Sequence, residues 1–315
     1  MALNEFGLIQ RYFQGLTPAA TQVTLGIGDD AAVLSLPPGH ELVWSIDTLV
    51  EGVHFAERAD PVALGHKALA VNLSDLAAMG ADPHGVLLAL TLPHADERWC
   101  QGFAEGFGAL AVACGIPLVG GDMTRGPRAI SVTVLGRVPQ GSAVQRQGAQ
   151  PGDHVTVTGP LGDAALALRL GTAAPEALRT ALDRPSPHLA AGRVLRAFAS
   201  AAIDVSDGLM ADLQHLCTAS RVGAVIRTRD LPRSDAFAAA TSGADAVALQ
   251  ASGGDDYVLC ATVPPAHLAP AQAALRAAGL PPLQVIGEVN AGDTARLMDE
   301  AGRAVVLNAT GYRHY

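Results

Sequence analysis

The stretch GIGDDAAVL, residues 26–34, decides how the chain is read. It carries Gly26-x-Gly28-x-x-Ala31, the spacing of a dinucleotide-binding turn. In such a turn the glycines open a helix whose N-terminus faces a pyrophosphate. Here AAVLSLPPG follows, short, β-like and broken by Pro37 and Pro38, so no helix opens. The adjacent Asp29 and Asp30 also repel a bare pyrophosphate. Two unit charges about 4 Å apart repel by roughly 4 kcal/mol at an effective dielectric of about 20. Solvent, an arginine or a metal ion has to offset that. With a divalent cation between carboxylate and phosphate, the repulsion becomes an attraction. The stretch reads as a face for a metal–phosphate cluster, with Asp30 the better ligand candidate.

The same theme recurs along the chain. Asp stands beside Gly or Ser in Ser45-Ile46-Asp47, Ser74-Asp75, Gly120-Gly121-Asp122, Asp204-Val205-Ser206-Asp207-Gly208 and Gly253-Gly254-Asp255-Asp256, each after an apolar run. Any one of these is ordinary turn chemistry. Together, at element ends, they suit Mg²⁺, which takes a few carboxylates and completes its shell with water and phosphate. Glycine beside them lets the backbone approach phosphate closely. No Walker motif exists, because the chain contains no Gly-Lys pair.

Composition excludes several function classes. With 49% apolar and 16% charged residues, the 315-residue chain can bury a sizeable core, and its length suggests two domains. Net charge is −9 with scattered basic residues, which disfavours a nucleic-acid partner. Lys67 is the only lysine against 20 arginines, so almost no lysine is available for phosphate. The longest clean apolar run, GVLLALTL (85–92), is too short to span a membrane. The N-terminus lacks a basic n-region, and a cytoplasmic protein is expected. Cys100, Cys114, Cys217 and Cys260 form no C-x-x-C pair and read as buried thiols rather than a zinc or disulfide framework.

Strand and helix patterns alternate throughout, which predicts an α/β (α+β) fold with mixed sheets. In the first half, strands are expected at 41–50, 85–92 and 129–138, with a short strand ending on Gly120-Gly121. Helices are expected from Asp60-Pro61 to Gly80 and from Asp96 to Cys114. The Gly-, Gln- and Pro-rich 138–153 reads as a linker, giving domains 1–140 and 150–315. In the second half, strands are expected at 154–159, in AAIDVSDG, at 257–263, in LQVIGEV and in the closing RAVVLNA. Helices are expected in GDAALALRLG, PHLAAGRVLRAFAS, LMADLQHLCTAS and HLAPAQAALRAAG.

LGIGDDAAVL (25–34), SIDTLVEGVHF (45–55), HKALAVNLSDLAAMGADP (66–83), LVGGDMTRGP (118–127), IDVSDGLMADL (203–213) and SGGDDYVL (252–259) occur in this order. Together they closely resemble the thiamine-monophosphate kinase family, in the superfamily of aminoimidazole ribonucleotide synthetase and selenophosphate synthetase. The likeness runs from NEFGLIQRYF to the terminal GYRHY, and NLSDLAAMGADP is its most specific string. It implies a two-domain protein that dimerises through strands of an N-terminal ATP- and Mg-binding domain, with a C-terminal α/β domain completing the site. It implies transfer of the ATP γ-phosphoryl group to thiamine monophosphate, giving thiamine diphosphate. By position, Asp30, Ser45, Ile46, Asp47, Asp75, Asp122, Asp204 and Asp207 look like magnesium ligands. Gly121, Asp122, Arg146 and Ser206 look like ATP contacts. His54, Asp255 and Tyr312 look like contacts to the thiamine phosphate.

Three positions depart from the family's usual pattern. Ile46 replaces Thr, which leaves only a backbone carbonyl as donor. Asp255 replaces Glu and is one methylene shorter. Met123 replaces Thr beside Asp122. A reactive N-terminal cysteine, which selenophosphate chemistry needs, is missing, since the first cysteine is Cys100. The alternative from a different class is a non-catalytic divalent-metal or nucleotide-binding protein of the same fold. For a kinase, both donor and acceptor are phosphates, so alignment and charge neutralisation suffice and no general base is expected. Arg125 and Arg146 are the cationic candidates for nucleotide phosphate. Tyr312 offers a ring to stack on a heteroaromatic.

Overall fold

The computed structural model describes residues 4–312, so Arg313-His314-Tyr315 of the GYRHY string lie outside the described residues. These fall into two compact units, one running to Leu76 and from Ala81 to Gly141, the other comprising Ala77–Gly80 and the chain from Ser142 onward.

The first unit opens with α1 (Glu5–Leu8) and a π-helical turn, Ile9–Phe13. A two-stranded antiparallel sheet follows, of β1 (Val23–Leu25) and β2 (Val33–Leu34). Its main sheet has four strands: β3 (His40–Val50), β4 (Asp82–Leu92), β5 (Leu118–Arg125) and β6 (Ala129–Pro139), in the order β3-β6-β4-β5. Only β4 and β5 run parallel. Ile130, Val132 and Val134 of β6 are buried, while Ser131 and Thr133 between them are half-buried, the period of two of a sheet covered on one face. The cover is α2 (Pro61–Ala78), whose Leu76 packs against Gly136 of β6.

Asp60 caps α2, accepting from the Ala63 N–H at 3.1 Å, with Pro61 at the first turn. In α3 (Glu97–Cys114), Asp96 accepts from the Trp99 N–H and Gly115 closes the helix at φ 66°. The two helices meet backbone to backbone. A Cβ on Gly65 would lie 2.1 Å from the Phe103 carbonyl oxygen, and one on Gly106 would lie 1.8 Å from that of Val62. On α3, Trp99, Phe103 and Phe107, at i, i+4 and i+8, stack at centroid distances of 5.0 and 5.9 Å.

The other face of the β3 end of the sheet is open. Leu42, Trp44 and Ile46 on β3 are 43%, 61% and 62% exposed. β5 departs from the sequence expectation, since it does not end on its glycines but continues to Arg125. Gly121, at φ 151°, lies so close to β4 that a Cβ would sit 1.8 Å from the Leu88 oxygen. The glycines here allow strand pairing instead of stopping it.

The second unit is built on six strands: β7 (His154–Val157), β8 (Ala201–Asp204), β9 (Gly223–Arg227), β10 (Leu259–Val263), β11 (Gln284–Asn290) and β12 (Ala295–Met298). Their order is β12-β9-β11-β7-β10-β8, antiparallel except for β12 beside β9. Helices α4 (Asp163–Leu170), α5 (Glu176–Asp183), α6 (Leu189–Leu195), α7 (Leu209–Ser220), α8 (Asp235–Ala240), α9 (Gly243–Ser252) and α10 (Pro265–Ala277) accompany them. Val155, Val157, Ile203, Cys260 and Ile286 of the sheet share one core with Leu209, Leu213 and Leu216 of α7. This α/β alternation with mixed sheets is the expected fold class. The closing strand at RAVVLNA is a correction. β12 is the strand beside β9, and the RAVVLNA segment meets β12 at a single bridge, Ala304 to Met298, with the Val305 N–H donating to the Leu297 carbonyl at 2.8 Å and Val306 90% exposed.

Candidate active site

In the first unit, the NLSD string explains itself on α2. Asn72 and Asp75, at i and i+3, share a helix face, while Ser45 and Asp47, at i and i+2, share a strand face. The faces meet. Ser45 Oγ donates to Asp75 Oδ2, and the Asp47 N–H donates to Asn72 Oδ1 at 3.0 Å. Asn72 is itself held by its Nδ2 donating to the Ala68 carbonyl at 3.0 Å. Sequence reading missed Asn72; its signal was the three-residue spacing to Asp75.

Ile46 is not part of this group. Its side chain lies on the open face, paired across from Thr133, whereas Ser45 and Asp47 face α2. Because the Asp47 N–H points away from β6, alternation turns the N–H and C=O of Ile46 toward β6. Asp122 is also apart. It sits on β5, at the far edge from β3, and its partner Ala89 pairs in turn with Ser131 on the open face. Gly121, beside it, is used for the close approach to Leu88.

Asp29 and Asp30 are exposed, and the Asp30 N–H donates to Asp29 Oδ1 at 2.8 Å. They stand in solvent next to the small β1–β2 sheet rather than at a core edge. Val33, just after them, is 50% exposed. His54 lies in the loop after β3. Its Nδ1 accepts from the Val50 N–H at 3.0 Å, which leaves the proton of the neutral ring on Nε2. The base of this loop is fastened by Arg128, which pairs with Glu51 and lies 5.2 Å over the Trp99 ring. Lys67 is buried on α2, and Arg125 ends β5 exposed.

The second unit organises its residues around one carboxylate. Asp212, buried in the first turn of α7, accepts on Oδ2 from the N–H groups of Ser206, Asp207 and Gly208, each at 3.1 Å. The turn after β8 thus wraps its donors inward, and Gly208 at φ 131° permits the wrap. Burial raises the Asp212 carboxyl to about 6 against the pull of those N–H groups. The turn's carbonyls receive other segments. Ser206 accepts from the Asp255 N–H at 2.8 Å, and Asp207 accepts from the Tyr312 N–H at 2.9 Å. Ser206, Asp207, Asp255 and Tyr312 are therefore brought together, with Asp204 buried at the end of β8. Sequence reading missed Asp212, although an acid four residues after Gly208 at a helix start was a visible signal.

Arg146 is exposed. Its carbonyl accepts from Ser220 Oγ at 2.9 Å, and Gln145 beside it accepts from the Ala202 N–H of β8 at 3.0 Å. The residue is placed near β8 by its backbone. Among the described residues, no group of three His, Cys, Asp or Glu side chains is placed to hold a metal ion. The donors present are hard oxygens in small groups, Ser45 with Asp75 and Asp29 with Asp30. That fits Mg²⁺, which binds through one or two carboxylates and takes its remaining ligands from water and substrate phosphate.

Residues 28–138 match the family model of the AIR synthase related protein, N-terminal domain, and residues 150–300 match that of its C-terminal domain. The chain is 44% identical to the thiamine-monophosphate kinase of Escherichia coli K12, covering 100% of this chain and 99% of that one. The crystal structure of thiamine-monophosphate kinase from Stenotrophomonas maltophilia K279a is similar at a TM-score of 0.88 and 44% identity, covering 97% and 99%. The structure of AaThiL complexed with AMPPCP and TMP is similar at a TM-score of 0.79 and 30% identity, covering 100% and 99%. Two matched domains and full-length likeness at this level place the chain in the thiamine-monophosphate kinase family of AIR synthase related proteins.

Proposed function

We propose that this chain transfers the γ-phosphoryl group of ATP directly to the phosphate of thiamine monophosphate, giving thiamine diphosphate. The observation that carries this reading is the full-length likeness to AaThiL, whose structure holds AMPPCP, an ATP analogue, together with TMP. The acceptor phosphate oxygen is already nucleophilic, so no side chain need remove a proton. The chain's task is to align two anions and offset their charge.

Asp30, Ser45, Asp47, Asp75, Asp122, Asp204 and Asp207 are the residues that would hold Mg²⁺, and Ile46, whose carbonyl turns toward β6, falls outside the set. When bound, Mg²⁺ neutralises phosphate charge between donor and acceptor. Arg146, Ser206 and the Gly121-Asp122 segment hold the nucleotide. His54 presents Nε2–H to the thiamine phosphate, and Tyr312 and Asp255 meet its rings. The N-terminal domain (1–140) supplies the nucleotide-side acids, and the C-terminal domain (150–315) supplies Asp204, Ser206, Asp207, Asp255 and Tyr312.

The working form is a cytoplasmic homodimer closed over the open face of β3 and β6. Its support is the exposed apolar row Leu42, Trp44 and Ile46 on β3.

The test is a turnover assay of purified protein with Mg-ATP and thiamine monophosphate, with chromatographic separation of products. Thiamine diphosphate from the wild type, near-complete loss in Asp30→Asn, and no acid-stable phosphoenzyme from ATP alone are the expected results. Tight Mg-ATP binding without thiamine diphosphate would favour the non-catalytic nucleotide-binding reading instead.

A further inference from the structure

The SGGDDY loop puts two non-glycine residues in left-handed backbone within three positions, Asp255 at φ 68° and Tyr257 at φ 50°. An aspartate tolerates this region, but a bulky aromatic in it must be held there by its surroundings. The surroundings are visible. The N–H groups of Asp255 and Tyr257 donate to the carbonyls of Ser206 and Val205, both at 2.8 Å. Between them, the carboxyl of Asp256 accepts from the Gly162 N–H at 2.9 and 3.0 Å. The middle residue is tied to the start of α4 while its two neighbours are tied to the turn after β8.

The product of this fixation is a specific contact. Tyr257 Oη donates to Asp255 Oδ1 at 2.9 Å. Tyr257 is only 8% exposed, so its ring is packed and its hydroxyl has a fixed position. A carboxylate on an ordinary loop samples several rotamers and loses that freedom on binding. Here the freedom is lost on folding, before any ligand arrives.

We propose that Tyr257 is a positioning residue for the thiamine-phosphate substrate, with its hydroxyl fixing the Asp255 carboxylate for the cationic end of that substrate. This rests on the reading above, in which Asp255 contacts the substrate. A thiazolium ring carries a fixed positive charge and an aminopyrimidine carries N–H donors. Both are matched by an ionised carboxylate, which only accepts. A neutral hydroxyl donor positions it and leaves the charge in place.

Steady-state kinetics of Tyr257→Phe tests this, since the variant keeps the ring and removes only the hydroxyl. We expect KM for thiamine monophosphate to rise by up to about tenfold, the cost of ordering one side chain on binding rather than on folding. KM for ATP and kcat should stay near wild type. On an Asp255→Asn background, Tyr257→Phe should add nothing further, because the two residues act as one. An unchanged KM for thiamine monophosphate would overturn the proposal. So would an equal rise in both KM values with a lower melting temperature, which marks a purely structural role, or full additivity in the double variant. A wild type that binds Mg-ATP but makes no thiamine diphosphate removes the underlying reading and this proposal with it. An active wild type with an indifferent Tyr257→Phe removes this proposal alone.

Discussion

In the first unit, the acids beside β3 are held by side chains of a helix, Asp75 against Ser45 and Asn72 against the Asp47 backbone. In the second unit, the acids after β8 ride on a turn whose own N–H groups converge on a buried carboxylate, Asp212. The first arrangement fixes individual oxygens and leaves the strand to the sheet. The second fixes a whole turn and, through its carbonyls, two further segments. Losing one partner should therefore have local consequences in the first unit and cooperative ones in the second.

The largest effect should come from where the first unit's backbone has no room. Gly121→Ala puts a methyl 1.8 Å from the Leu88 oxygen, on a strand whose partner cannot retreat without breaking the β4–β5 pairing. A loss of about 3–5 kcal/mol is expected, read by urea unfolding. Unchanged stability would mean that β5 is not paired through its glycines.

The direct comparison is Asp212→Ala against Asn72→Ala. The first strands three N–H groups and should cost about 3 kcal/mol or more. The second strands one and should cost about 1–2 kcal/mol. Hydrogen exchange should then show protection lost at residues 205–208, 255–257 and 312 together in Asp212→Ala, and near Asp47 only in Asn72→Ala. Equal and equally local losses would erase the contrast between the units.

The smallest effect is on pH dependence. Burial raises the carboxyls of Asp163, Asp212 and Asp256, all in the second unit. For Asp212 the folded value is about 6 against 3.8 for the ordinary group, so the native state holds more protons between those values. Its contribution is fully present below the unfolded value and is lost as pH rises through about 6. Metal-free protein should gain about 1 kcal/mol from Asp212 on going from about pH 7.5 to 5.5, and Asp212→Asn should lose that gain. A flat or opposite slope in calorimetry would put Asp212 in water rather than in the turn.

Much of this was legible in the sequence because period and punctuation carry it. The helix after Asp60-Pro61, the strand at 41–50 and the α/β alternation all follow from local patterns. The clusters were legible only as a list of acids. That Ser45 and Asp47 face α2 while Ile46 faces away follows from strand alternation, but needs the knowledge of which face is covered. Asp122 was read beside glycines as a turn residue, and the parallel partner β4, distant in sequence, makes it a strand residue on the far edge. RAVVLNA has strand composition, yet it pairs with the edge strand β12 through a single bridge at Ala304, too short a register to make a strand. Asn72 and Asp212 were overlooked because each acts on backbone N–H groups, which a sequence does not display.

The bond from Asp47 to Asn72 has a consequence for how the protein behaves when concentrated. β3 is the outermost strand of its sheet and carries exposed apolar side chains, a combination that invites another strand to add on. Asn72 spends the outward N–H of Asp47 on a side chain of the same unit, so a stray strand finds one of its templating donors already taken. The same amide that steadies a site residue therefore also guards against runaway edge-to-edge assembly.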